Sequence, residues 1–158
     1  MRRQLTSVNL IAAVALAAPF PVAAQAPVTP SPRPELHRQF LLMALDSYQR
    51  ARCEGDQPCA PASAAERASP PITDDQARAI VAAATISTMA EHCQLDWGRR
   101  NFVPLMQHHR ERLKMSERQM ALVGLLHGIT MGAVGETVRR TPCTPEMKAS
   151  TEKRLLAP

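Results

Sequence analysis

Apolar residues recur at helical spacing along most of the chain, and nowhere do they alternate as in a strand. A first helix is predicted over residues 35–52, with Leu36, Phe40, Met43, Ala44, Ser47 and Ala51 on one side. Arg38, Asp46, Gln49 and Arg50 lie mostly opposite. A second helix starts at Thr73, whose hydroxyl pairs with Gln76 in a capping box, and ends near Cys93. Asp74 and Asp75 occupy its first turn, where the helix dipole favours acids. A third is expected over residues 97–113, capped by Asp96, with Phe102, Met106, His109 and Leu113 sharing a face and Pro104 kinking it or opening its second half. Thr144, Pro145 and Glu146 read as cap, first position and first-turn acid of a short last helix. Residues 53–72, rich in proline, alanine and serine, read as a loop.

The fourth helix opens on a second capping box, Ser116 with Gln119. From Met120 to Gly135 its only polar side chains are His127 and Thr130. A helix apolar all round is a buried one, and a run of roughly 16 residues is short for a bilayer core that takes ~20. Gly124, Gly128, Gly132 and Gly135 gather within a quarter of its wheel. Each costs about 1 kcal/mol of helix stability relative to alanine. Close approach by the alanine-rich second helix is the expected compensation, which makes these four glycines helix-packing residues. The pattern as a whole predicts an all-α protein, a small four- to five-helix bundle around a buried glycine-rich helix.

The first 24 residues do not belong to that bundle. Arg2 and Arg3 precede a short apolar run, Leu10 to Ala18, and a small-residue exit broken by Pro19 and Pro21, the order of a secretory signal peptide. Cleavage before Gln25 follows Val22-Ala23-Ala24, whereas cleavage after Ala26 would place Pro27 next to the cut. Residues 25–34 carry four prolines and nothing to bury, and read as an extended, disordered leader ahead of a single helical domain at 35–158. The chain is therefore expected in the periplasm or secreted, with no membrane span once the leader is gone. Its arginine, alanine and proline content suggests a bacterial envelope.

An oxidising compartment changes the reading of Cys53, Cys59, Cys93 and Cys143. Four cysteines there are disulfides before they are metal ligands. Three pairings are available. If the second, third and fourth helices run up, down and up, the second and fourth end together, which favours Cys93–Cys143 and leaves Cys53–Cys59 as a local loop.

Charge and motifs narrow the function by exclusion. Loss of the leader lowers the formal +5 of the full chain by two, too mild for a nucleic-acid partner. No GxSxG, HExxH, CxxC or P-loop pattern is present. One Trp and one Tyr give little material for a sugar-stacking cleft. His37 and His108 fall toward solvent on their wheels, His92 caps the end of the second helix, and His109 and His127 lie on apolar faces. The sharpest chemical alternative is copper, because Met89–His92, Met106–His109 and His127–Met131 each share a helix face and combine soft thioethers with imidazoles. Its ligands would come from His127, Met106, Met131 and His109. Across the turn between the third and fourth helices, His127 faces a point roughly 6–9 Å along the axis from His109, so one shared site is awkward. An enzyme would place a pocket around His109, His127 and Trp97. Arg99, Arg100, Arg110, Arg112, Lys114 and Arg118 outnumber Glu111 and Glu117 and read as a solvated face. What remains is a non-enzymatic binding, structural or envelope-stress protein without cofactor, its partner an envelope protein or a second copy meeting the glycine face.

Overall fold

The computed structural model describes residues 36–156. The predicted signal peptide, the proline-rich segment and Glu35 lie outside the described residues. Six α-helices and no strand occur among the described residues: α1 (Leu36–Asp46), α2 (Ala64–Ala68), α3 (Asp74–His92), α4 (Val103–Gln107), α5 (Glu117–Val138) and α6 (Pro145–Leu156). The all-helical class holds.

The capping signals act as expected. Thr73 accepts from the Gln76 amide at 3.2 Å while the Gln76 side chain accepts from the Thr73 amide at 2.8 Å. Ser116 and Gln119 repeat the arrangement at the start of α5. Thr144 caps α6 through the Met147 amide. Polar side chains thus occupy amides that the first helical turn leaves unpaired.

The first helix is shorter than its pattern suggests. It ends at Asp46 and passes into a 3-10 turn, Tyr48–Arg50, which delivers the Tyr48 ring into the core. Its inner face is His37, Phe40, Leu41, Ala44 and Leu45, whereas Leu36 and Met43 are exposed. The adjacent apolar pairs Phe40-Leu41 and Ala44-Leu45 rotate the buried stripe away from those two. His37 is corrected with them: it is buried, because Nε2 meets Asp74 Oδ1 of α3 at 2.6 Å.

The third predicted helix is interrupted in register. α4 is a single α-helical stretch flanked by π-helical turns at Gly98–Phe102 and His108–Arg112. Pro104 has no N–H for a carbonyl one turn back, and the wider π turn before it relieves the clash that its ring would make there. Leu113, placed on the inner face by its spacing, is exposed.

The segment 53–72 is not a plain loop. Ser63 and Glu66 form a third capping box and start α2. Arg118 of α5 then fixes it: Nε reaches Glu66 Oε1 at 2.6 Å and Nη2 reaches Oε2 at 2.8 Å, while the guanidinium also donates to the carbonyls of Ala60 and Pro61. The same guanidinium lies 4.1 Å over the Tyr48 ring. Its hydrogen bonds hold the Glu66 carboxyl down at about 2, and burial pushes the Tyr48 hydroxyl up to about 12.

α3 and α5 form the centre and run parallel. At one end Gln119 donates to the Pro71 carbonyl at 2.6 Å, and at the other His92 Nε2 donates to the Thr141 carbonyl at 2.8 Å. Both expected disulfides follow. Cys93 and Cys143 are bonded with Cα atoms 5.4 Å apart, and Cys53 and Cys59 close a local loop. By length and composition α5 is the one helix among the described residues apolar enough to cross a membrane. Here Leu122, Val123 and Leu126 are fully buried against α1 and α3.

The two bridges should differ in worth. Removing Cys93–Cys143, which spans 50 residues, should cost about 4 kcal/mol by loop closure, and removing Cys53–Cys59, which spans 6, about 2 kcal/mol. Urea unfolding of the two double-alanine variants measures this. Equal losses would mean that the long bridge does not act by restraining the unfolded chain.

Candidate functional site

Two features of α5 bear on function, one sealed and one open. The sealed one is built around His127. Its ring is 2% exposed, 4.7 Å from the Phe102 ring and 5.9 Å from that of Trp97. Nε2 lies 3.0 Å from the hydroxyl of Ser87 on α3. Asn101 donates to that hydroxyl at 2.8 Å and to the Ala83 carbonyl at 2.7 Å. Ser87 thus bridges Asn101 and the His127 ring through its hydroxyl. Burial alone lowers the His127 pKa to about 4.

A serine, a histidine and an asparagine in contact resemble a nucleophile with its base, but the geometry denies the chemistry. Ser87 is completely buried, so a substrate carbonyl has no approach to its oxygen. The cluster joins α3 and α5 to the segment 97–102 that leads into α4. Among the described residues no buried side-chain nitrogen or oxygen lacks a hydrogen-bond partner.

The copper candidates are divided among different surroundings. His127 is engaged by Ser87, and His109 is buried with Nδ1 donating to the Leu105 carbonyl at 2.8 Å. Met106 instead lines an open groove on α5, and Met131 is half-buried further along that helix. Among the described residues no three of His, Cys, Asp and Glu are grouped as a metal would need. His92 caps a neighbouring chain segment rather than its own helix, and His108 is exposed. Much of the basic stretch is paired at the surface: Arg99 with Asp96, Arg100 with Glu152, Arg110 with Glu117, and Arg118 with Glu66.

The open feature corrects the packing role expected of the glycines. A Cβ added at Gly124, Gly128 or Gly132 would meet nothing within 4 Å, so α3 does not cover them. Gly135 is buried, but by the Arg139 side chain of its own helix. α3 supplies its own small residues, Ala77, Ala84, Ser87 and Ala90, to the contact, and α5 answers with Leu122, Leu126 and His127. Gly124 and Gly128 are left pointing outward along a groove of about 520 Å³, and Gly132 lies exposed one turn beyond it. Met106, Met120, Leu125 and Ile129 form its apolar walls, and Arg50, Arg52, Arg110 and Glu117 stand at its rim. A residue-by-residue wheel shows the glycine lane but not which neighbour lies over it. The Ser87–Asn101–His127 cluster left no local signal at all.

No protein-family model, curated protein or solved structure matches the chain.

Two measurements probe these features. Between pH 6.5 and 4 the unfolded chain binds a proton at His127 that the folded chain refuses, so stability should fall on acidification by up to about 3 kcal/mol. His127→Gln should flatten that window in urea titrations while leaving the later loss near and below pH 4, where Glu66 and Asp74 protonate. An unchanged slope would show that His127 is not the buried neutral group. Gly124→Ala, Gly128→Ala and Gly132→Ala should each raise stability by about 0.5–1 kcal/mol, since the methyl enters empty space. A loss at any of them would mean that the lane is filled.

Proposed function

We propose that the protein is exported, loses its leader before Gln25, and acts in the bacterial envelope by binding a partner rather than by catalysis. The observation that carries this reading is the open groove on α5, set in a body whose buried polar groups are satisfied internally. Two disulfides suit an oxidising compartment. A buried, hydrogen-bonded His127 is better explained as a polar clamp between α5, α3 and the segment leading into α4 than as a general base.

Intact-mass and native mass spectrometry of the protein recovered from periplasm tests this reading. The expected species begins at Gln25, is lighter by two hydrogens for each bridge, and carries no metal. Full-length chain with free thiols in the cytosol would overturn the export reading. Stoichiometric copper that His127→Ala abolishes without unfolding would replace the binding reading with metal handling.

A further inference from the structure

We infer that the α5 groove is a docking site for an acidic, apolar-faced helix of another envelope protein. This rests on the binding reading above and names the chemistry of the partner. Gly124 and Gly128 form the bare part of the groove floor beside Ala121, and Gly132 continues the glycine lane one turn beyond its lining. Gly124, Gly128 and Gly132 are spaced four apart, and none has a neighbour where a Cβ would stand. Eight residues of rise give a lane of about 12 Å, two turns long, into which a second helix can settle closer than side chains normally allow. Leu125, Ile129, Met106 and Met120 supply apolar walls for the sides of such a helix. Methionines are flexible enough to adapt to it.

Charge selects among the occupants. Arg50 has no ion pair among the described residues, Arg52 donates to the Asp56 carbonyl, and Arg110 holds the rim's Glu117 at 3.4 Å. Three guanidiniums against one carboxylate favour acidic side chains flanking the apolar face of the partner. A second copy of this chain fits less well. Parallel pairing of two α5 helices sets rim against rim, and antiparallel pairing brings Arg139 and Arg140 of the partner, against a single Glu136, to the same basic rim. A free acyl chain fits less well too, because small-ligand sites enclose most of their ligand, whereas this floor is exposed at Gly128.

The test uses the oxidised mature protein and a labelled helical peptide of about 18 residues, with alanine and leucine on one face and glutamates flanking it. Fluorescence anisotropy should show saturable binding that weakens with salt, and the peptide with lysines in place of the glutamates should not bind. Gly128→Leu fills the lane without touching the core, so it should keep the native circular dichroism and weaken binding at least about tenfold. Arg50→Glu with Arg110→Glu should invert the preference between the two peptides. No saturation up to about 1 mM, equal binding of both peptides, or indifference to Gly128→Leu overturns the inference. So does a dimer that Gly128→Leu dissolves, or tighter binding to phosphatidylglycerol vesicles than to the peptide. A photo-crosslinking residue in living cells separates the two levels of the reading. Capture from Leu42 on α1 but not from Gly128 keeps the binding function and removes the groove, and capture from neither removes both.

Discussion

The parallel contact between α3 and α5 is the constraint on which the other features depend. α3 buries mostly small residues there, Ala77, Ala84, Ser87 and Ala90 beside Ile80, while α5 buries Leu122, Leu126 and His127, and Ser87 meets His127 directly. Two helices each with a small face can meet small to large or small to small, and burying large side chains against small ones removes more apolar surface from water. Leu122 and Leu126 also reach the inner face of α1, so one side of α5 serves two neighbours. Once α5 spends its leucines inward, its glycines face outward. The groove follows from the core packing.

Polar groups then hold the surrounding pieces on this pair. Arg118 draws the segment before α2, the Glu66 carboxylate and the Tyr48 ring to the start of α5. Near the middle, His127 joins Ser87 of α3 to the aromatic residues of the chain entering α4. At the far end, the Cys93–Cys143 bond and the His92–Thr141 hydrogen bond tie the helix ends together. The titrating members of these clamps fail in sequence as pH falls. His127 weakens the fold first, because its neutral form is the one buried, and the carboxylates of Glu66 and Asp74 follow, because their ionised forms are the ones bound. Acid should therefore loosen the segment entering α4 against the central pair before it frees α2 or the start of α3.

How much of this was legible beforehand depended on the range of the interaction. Capping boxes at Thr73 and Ser116 are read within four residues, and both were recoverable, as was the cap at Thr144. The disulfide pairing was recoverable because up-down-up topology puts the ends of α3 and α5 together whatever the details of packing. The inner face of α1 was misjudged by a fraction of a turn, since His37 is drawn inward by Asp74, 37 residues away. α2 was missed because a five-residue helix has too short a period to register, and its anchor on Arg118 lies 52 residues off. The glycine lane was visible as a pattern, but the pattern cannot tell a covered face from an open one. The neighbour expected over the lane, α3, does not cover Gly124, Gly128 or Gly132.

That unanswered need is the strongest argument that the groove has a purpose. Three glycines in open space cost α5 roughly 2–3 kcal/mol against alanine, with no close contact among the described residues to offset it. A cost of that size is comparable with the contribution of the smaller disulfide, and alanine at each position would remove it without a clash. Under the proposed docking, these small residues are where something could approach closely. The excess of arginine at the rim, beside walls of methionine, leucine and isoleucine, gives that something a chemistry: apolar along its axis and acidic at its flanks.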